Sequence, residues 1–138
     1  MIIKCLQLFS DCSNVSVNLK NEVLNQYEYL QGDYQISTTV NGEPSWKNGA
    51  YAIWFMSNNK VCSQYGLACG KWIIGPLNRI GEDYSLISSD QVSSQGLSTL
   101  VTNIYNHWNF WNGSSNLRPS EPKAIQITCN GKYFKHLS

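Results

Sequence analysis

The chain has 138 residues, which is the usual size of one domain with one hydrophobic core. Hydrophobic residues make up 42% of it and charged residues only 14%, against roughly 25% charged residues in an ordinary domain, so we expect a polar surface with little charge. The formal net charge is +1 without any cluster of Lys or Arg, which argues against a nucleic-acid partner, and no apolar run is long enough for membrane insertion.

The first half of the chain predicts strands separated by turns. The pattern of residues 17–30 is compatible with either a helix or a strand. Apolar positions recur at helical spacing, whereas the Tyr and Val residues favour a strand. Residues 33–40 are rich in β-branched and aromatic residues and end at Asn41-Gly42, a dipeptide typical of hairpin turns. A second turn at Asn48-Gly49 precedes the apolar run 50–56, which we expect to be a central strand.

The second half of the chain continues this pattern with one interruption. Residues 70–76, 84–88 and 123–129 predict further strands. Apolar residues at helical spacing predict one short helix over residues 95–107. The chain is therefore expected to be mainly β, an antiparallel meander that closes as a small sandwich or barrel, in a single β-rich domain spanning residues 1–138.

The predicted core lies on the central strands. Apolar runs bounded by turns need cover on both faces, so their residues should be mostly buried. The core residues predicted in this way are Tyr34, Ile53, Trp54, Phe55, Trp72, Ile73 and Ile74.

The five cysteines predict disulfides rather than a metal site. None of their spacings is the close pair typical of zinc or redox motifs. Cys12 and Cys129 lie near the two ends and predict a bridge between the first and last strands. Cys62 and Cys69 flank a short turn that a local disulfide would close. The alternative is that all five are small buried residues in a reducing cytoplasm.

The localisation of the chain also has two alternatives. The apolar stretch within residues 1–12 is too short, and polar residues follow it too early, for a signal peptide. We therefore expect either a cytoplasmic protein or an excised domain of an extracellular or secreted one. Two N-glycosylation sequons, which begin at Asn14 and Asn112, favour the extracellular alternative, as do the predicted disulfides.

Four segments together resemble a known pattern: Tyr29–Tyr34, Val40–Lys47, Tyr51–Phe55 and Lys71–Pro76. The pattern is a G-x-Y strand, then V-N-G-x-P-x-aromatic-K, an aromatic strand, a W-x-I-G strand and a late pair of tryptophans. It is that of a small, functionally uncharacterised β domain of multidomain, mostly extracellular proteins of animals and protists. The resemblance implies a β fold, makes Trp108 and Trp111 the late pair, and carries over no catalytic residues. The chain departs from the pattern in two places, an insertion at residues 62–69 and the predicted helix over residues 95–107.

The sequence shows no motif for catalysis or for a cofactor. It has no phosphate-binding glycine loop, and its two histidines, His107 and His136, are not part of a recognisable catalytic arrangement. Nothing places two carboxylates across a sugar, as a glycosidase needs. We therefore expect no enzyme, no catalytic residue, no cofactor and no metal, and keep a small hydrolase as an alternative.

Aromatic residues beside amides predict a ligand site. Trp46 lies in a polar hairpin, and residues 105–113 alternate rings with amides. Such rings stack on a sugar's apolar face while amides bond its hydroxyls, and the same composition suits a protein-binding hot spot. The alternative for Trp108 is packing as the last core residue of the helix. The residues predicted to bind a ligand are Trp46, Tyr105, Trp108, Asn109, Trp111 and Asn112.

These patterns together predict a non-catalytic recognition module. Its ligand is expected to be neutral, either a glycan or a protein, because the aromatic and amide residues are accompanied by so few charges. The alternative is a structural or assembly domain, which would form an oligomer or hold its neighbours within a larger extracellular chain.

Overall fold

The computed structural model describes residues 7–57, 69–90, 92–93, 97–102 and 107–137. Its strands are β1 (Gln7–Leu19), β2 (Gly32–Val40), β3 (Glu43–Asn48), β4 (Tyr51–Ser57), β5 (Cys69–Pro76), β6 (Ile87–Ser89), β7 (Val92–Ser93), β8 (Trp108–Trp111), β9 (Asn116–Leu117) and β10 (Ile125–Leu137). Its helices are α1 (Asn21–Tyr27) and α2 (Leu97–Thr102), and 3-10 turns cover Glu28–Leu30, Leu77–Arg79 and Pro122–Ala124.

The strands in these ranges form one antiparallel sheet that curls into a half-barrel. Their order is β10-β1-β2-β3-β4-β5-β6-β8-β9, and β7 pairs with β5 off this path. Successive strands are therefore neighbours along most of the sheet, while β10 returns to lie beside β1 over twelve paired positions. This arrangement confirms the predicted mainly β, antiparallel meander.

Tight turns connect the central strands at the predicted dipeptides. Asn41 and Gly42 both have positive φ, 53° and 82°, as a two-residue hairpin turn between β2 and β3 requires. Gly49 also has a positive φ, 58°, between β3 and β4. The short turns fix the register of these strands, so their side chains alternate between the two faces of the sheet.

The concave face of the half-barrel and both helices bury the main core. The rings of Trp46, Phe55 and Trp72 meet there, with the centroid of Trp72 5.8 Å from that of Trp46 and 5.3 Å from that of Phe55. Helix α2 contacts β1 and β10 and contributes the buried side chains of Leu97 and Leu100. This core therefore contains side chains from the sheet and from both helices.

The middle of the sheet is covered on its other face as well. Ala52, Trp54 and Ile73 form a second buried cluster there, packed against Leu77 and Ile80 from the segment after β5. Because β4 and β5 are buried on both faces, they show continuous apolar runs instead of alternation. All seven predicted core residues are buried, which confirms that prediction.

Two predicted segments differ in detail from the sequence expectation. Residues 17–30 contain both alternatives, because β1 continues to Leu19 and α1 begins at Asn21. The strand predicted at residues 84–88 starts later, at Ile87, because the backbone N–H of Tyr84 bonds to the carbonyl of Glu82 in a turn. Helix α2 lies within the predicted residues 95–107, of which 95–96 and 103–106 are outside the described residues.

The predicted bridge between the first and last strands is present. Cys12 of β1 and Cys129 of β10 form a disulfide with 5.1 Å between their Cα atoms and a sequence separation of 117. Cys62 lies outside the described residues, so the local disulfide with Cys69 stays a prediction. Neither described helix has the length and hydropathy needed to cross a bilayer.

Candidate functional site

Aromatic residues from separate elements meet at one end of the half-barrel. Tyr29 lies in the 3-10 turn after α1, Tyr51 begins β4, and Tyr84 follows the end of β5. Because β4 and β5 are antiparallel neighbours, the start of β4 and the end of β5 lie at the same end of the sheet. We call Tyr29, Tyr51, Tyr84 and Arg79 the tyrosine surface.

The rings of the tyrosine surface are held by neighbouring rings and by a cation. The ring centroid of Tyr29 lies 5.0 Å from that of Tyr51 and 5.9 Å from that of the buried Tyr27, the latter in an edge-on arrangement. The guanidinium carbon of Arg79 lies 4.4 Å above the ring centroid of Tyr84, as a cation–π contact requires. These contacts restrict the side chains before any ligand arrives.

The tyrosine surface is open to solvent. Tyr29 is 50% exposed and Tyr84 is 42% exposed, while Tyr51 is half-buried. Partial burial raises the pKa of Tyr29, and the neighbouring hydroxyls of Tyr51 and Tyr84 raise it further. The hydroxyl of Tyr29 therefore stays protonated near pH 7, and the surface presents both apolar ring faces and hydroxyl groups.

The charges beside these rings are paired. Arg79 forms an ion pair with Glu82, and both side chains are about half exposed. Lys71 forms another with Asp83 at 3.3 Å. Each of these two cations is thus matched by a carboxylate.

Trp111 is attached to the same end of the fold through its backbone. Its carbonyl accepts hydrogen bonds from the hydroxyl of Tyr27 and from the amide of Gln26, the latter at 3.1 Å. Its N–H donates to the carbonyl of Leu86 at 2.9 Å. These bonds fix the end of β8 against α1 and against the segment that carries Tyr84, and the Trp111 ring is 37% exposed.

A groove of about 720 Å³ lies elsewhere, between α2, the start of β8 and β10. Its lining includes Leu100, Trp108, Arg118, Lys123, Ile125 and Gln126. Trp108 is half-buried there and packs against the main core from the start of β8 instead of from the helix, and its role in ligand binding stays a prediction.

A carboxylate organises one wall of the groove. Asp90 accepts hydrogen bonds of 2.9 Å from Asn109 and from Arg118 and lies 3.5 Å from Nδ1 of His107. The side chains of Asn109 and Arg118 are thereby engaged within the protein. The groove wall is best described as a structural network that joins β8 to the segment after β9.

The structure separates the residues predicted to bind a ligand. Trp111 and Asn112 are exposed at the end of β8, whereas Trp108 lines the groove and Asn109 is bonded to Asp90. The carboxamide oxygen of Asn112 accepts hydrogen bonds from the backbone of the turn that follows. Tyr105 lies outside the described residues.

The expectation for Trp46 requires a correction. Its side chain is fully buried in the main core, so it is not part of an exposed surface. The reason is its position on β3, which pairs with β2 on one side and with β4 on the other and directs Trp46 towards the concave face. The polar side chains next to Trp46 in the sequence belong to the opposite face of this strand, so they do not indicate the environment of Trp46.

The residues of the tyrosine surface are not recognisable as a site from the sequence. They lie far apart in the sequence, and only the pairing of the strands brings them to one end of the sheet. The sequence offered one local indication. Each of these residues, Tyr29, Tyr51 and Tyr84, lies at or near the end of a helix or strand, where aromatic side chains are less often buried by neighbouring elements.

Comparison with known proteins identifies no relative of this chain. No protein-family model matches it, and neither a curated protein nor a solved structure does so at a significant level. The resemblance to a small extracellular β domain therefore stays a prediction.

Proposed function

We propose that this chain is a non-catalytic recognition module that binds a neutral glycan or protein ligand through the tyrosine surface. The observation that carries the proposal is the exposure of Tyr29 and Tyr84, which are 50% and 42% accessible at one end of the sheet. Large aromatic side chains are usually buried, and neighbouring exposed ones are typical of binding surfaces.

The arrangement of these rings supports binding because it lowers the entropic cost. Tyr29 already contacts Tyr27 and Tyr51, and Tyr84 already lies under Arg79. A side chain that is held in place before association loses little rotamer freedom on binding. Tyr in particular offers a large contact area with only two rotatable side-chain bonds.

The chemistry of the surface favours a neutral ligand. Its cation Arg79 is paired with Glu82, so binding depends on ring faces and hydroxyls rather than on charge. A pyranose ring stacks its C–H face on an aromatic ring and bonds through its hydroxyls. Tyr and Arg are also the residue types that dominate binding energy in protein interfaces.

The disulfide supports an extracellular or secreted location as part of this proposal. Bridges such as Cys12–Cys129 form and persist in oxidising compartments and are rare in the cytoplasm.

A glycan array probed with the folded, disulfide-bonded chain tests the proposal. We expect signal on neutral glycans, and Tyr29→Ala and Tyr84→Ala should each weaken it by about tenfold or more, which corresponds to ~1.4 kcal/mol. Leu117→Ala is the matched control, because Leu117 is 40% exposed on β9 and is not part of the tyrosine surface. Trp111→Ala shows whether the binding area extends to β8.

A protein ligand is tested with a photocrosslinking residue placed at position 84. A captured protein counts only if, once purified, it binds the unmodified chain and loses binding to the Tyr29→Ala variant. Binding that persists in both tyrosine variants, or the absence of any ligand in both experiments, would overturn the proposal.

A structural or assembly domain is the second candidate, and one observation favours it. Among the described residues, β10 (Ile125–Leu137) pairs only with β1 and leaves its other edge open. Open edges are templates for pairing with another strand. Light scattering coupled to size-exclusion chromatography distinguishes this candidate, because a self-associating domain has a mass that increases with concentration even when Tyr29 and Tyr84 are replaced.

A further inference from the structure

The two N-glycosylation sequons of the chain lie in very different environments. Asn112-Gly113-Ser114 forms the turn between β8 and β9, immediately after the pair Trp111 and Asn116. Both Asn112 and Ser114 are exposed. Asn14-Val15-Ser16 lies within β1, which has β10 on one side and β2 on the other.

The turn presents Asn112 in a defined conformation. Its Oδ1 accepts hydrogen bonds from the backbone N–H groups of Ser114 and Ser115 at 2.8 and 2.9 Å, and its own N–H donates to the carbonyl of Ser115 at 3.1 Å. Gly113 has a φ of 101°, and no atom lies within 4 Å of the position of an added Cβ. The side chain of Asn112 is exposed, and its hydrogen bonds within the turn use Oδ1 and not Nδ2.

The strand position of Asn14 is unsuited to a bulky substituent. Its Oδ1 is buried, and its backbone pairs with Asn130 of β10 and Gln35 of β2. The hydroxyl of Ser16, the other sequon residue, donates to Asp33 at 2.6 Å and accepts from the amide of Asn130. An oligosaccharide on Asn14 would have to displace neighbouring side chains of β2 or β10 when these strands pair with β1.

We propose that Asn112 is an N-glycosylation site and that Asn14 is unmodified in the folded, secreted chain. The reaction joins Nδ2 of Asn112 to the anomeric carbon of an oligosaccharide carried on a lipid pyrophosphate. The new C–N bond replaces the bond between that carbon and the pyrophosphate oxygen, the lipid pyrophosphate leaves, and the amide loses one proton. The inference rests on the proposed secreted location and is independent of the ligand of the tyrosine surface.

Attachment at Nδ2 is compatible with the observed turn. The carboxamide oxygen, which makes the two hydrogen bonds within the turn, is retained in the glycosylated side chain. The glycan would stand on the β8–β9 hairpin, next to the exposed ring of Trp111.

The experiment is secretion of the chain from eukaryotic cells behind an added signal peptide, followed by glycopeptide mapping. After reduction, trypsin separates the two sequons, because one peptide ends at Lys20 and the other runs from Ile80 to Lys123, since the bond between Arg118 and Pro119 resists cleavage. We expect a glycan on the second peptide and none on the first. Unreduced peptide mapping of the same sample should show the Cys12–Cys129 link, which verifies the oxidising route.

Variants separate the sequons without disturbing the turn. Ser114→Ala keeps Asn112 and its hydrogen bonds to the backbone, and it should abolish the glycan on the second peptide. Ser114→Thr should retain this glycan. Ser16→Thr keeps the other sequon and should leave the map unchanged. A disulfide-linked secreted chain with no glycan at Asn112, or with one at Asn14, would overturn the inference, while glycan-array binding would remain a separate question.

Discussion

Nε1 of Trp46 donates a hydrogen bond of 3.0 Å to the backbone carbonyl of Cys12 inside the main core. Trp46 lies on β3 and Cys12 on β1, and β2 stands between these strands in the sheet. The bond therefore crosses a strand and connects the aromatic cluster of the core with the strand that carries the disulfide. A buried indole N–H needs such a partner, and the partner position is set by the curl of the sheet.

Replacing Trp46 with Phe is expected to destabilise the fold by about 2 to 4 kcal/mol. The substitution removes ring volume next to Trp72 and the indole N–H that donates to the carbonyl of Cys12. Urea denaturation measures the loss. Trp111→Phe at an exposed position is the control and should change stability by less than about 0.5 kcal/mol. Equal effects of the two substitutions would contradict this role for Trp46.

Removing the disulfide is expected to destabilise the fold by more than Trp46→Phe does. The bridge between Cys12 and Cys129 closes a loop of 117 residues, and chain entropy alone gives about 4 to 5 kcal/mol for such a loop. Reduction should therefore lower the melting temperature by more than ~10 °C. The double variant Cys12→Ser, Cys129→Ser should already melt at the lower temperature and respond little to reductant. A large further decrease in that variant would refute the assignment of the effect to this bridge.

Gly75→Ala is expected to disturb both the fold and the tyrosine surface. An added Cβ would lie 2.8 Å from the carbonyl oxygen of Tyr84 and 2.9 Å from the ring of Trp54, so the backbone of Tyr84 must move. Overpacking of this kind costs about 1 to 3 kcal/mol. Ligand binding by the tyrosine surface should weaken as well.

Gly49→Asn is the control for this substitution. Gly49 has a φ of 58°, which Asn tolerates, and open space around the Cβ position. The Asn variant should stay within about 0.5 kcal/mol of the parent chain in the same denaturation experiment. If Gly75→Ala is as stable as this control, the close packing of Trp54 against the segment of Tyr84 is wrong.

Alkaline pH is expected to destabilise the fold through Tyr34. Burial raises the pKa of this hydroxyl, with a smaller contribution from Tyr51, and its O–H donates to the carbonyl of Leu30 at 2.7 Å. In the unfolded chain the hydroxyl loses its proton near pH ~10, whereas the folded chain retains it. The stabilisation is thus complete below about pH 10 and decreases as the pH rises further, by up to about 1.4 kcal/mol per pH unit.

Tyr34→Phe should make the free energy of unfolding less dependent on pH above this range. Chemical denaturation at a series of alkaline pH values measures the slope. Tyr29→Phe is the comparison, and because Tyr29 is half exposed its replacement should change the slope less. The account fails if the parent chain and Tyr34→Phe lose stability in parallel.

The sequence predicted those parts of the fold that depend on local pattern. Strands β2, β4 and β5 carry dense apolar or β-branched residues bounded by turns, and the residues chosen from them are buried. The segment 17–30 was ambiguous because the backbone changes from strand to helix within it. The change occurs at Asn21, which has a φ of 57°, and neither periodicity extends over the whole segment.

The site could be predicted only in part, because it depends on which strands become neighbours. Trp46 was expected at the surface from its polar neighbours, yet the register of β3 between two strands turns it inwards. Tyr29 and Tyr84 are 55 positions apart, 84 minus 29, and no local pattern relates them. Trp111 is exposed because β8 is short and ends beside a Gly-containing turn, while its predicted role in ligand binding stays a prediction.

The disulfide also determines how the fold responds to a pulling force. Gln7 and Leu137 are paired neighbours on β1 and β10, so force applied to both would open the ladder one pair at a time from that end. Opening would stop at Cys12 and Cys129, because the load then passes through a covalent bond. The freed chain is limited to the five residues from 7 to 11 and the eight from 130 to 137, a contour of about 45 Å. The half-barrel behind the bridge, with its tyrosine surface, would carry no tension.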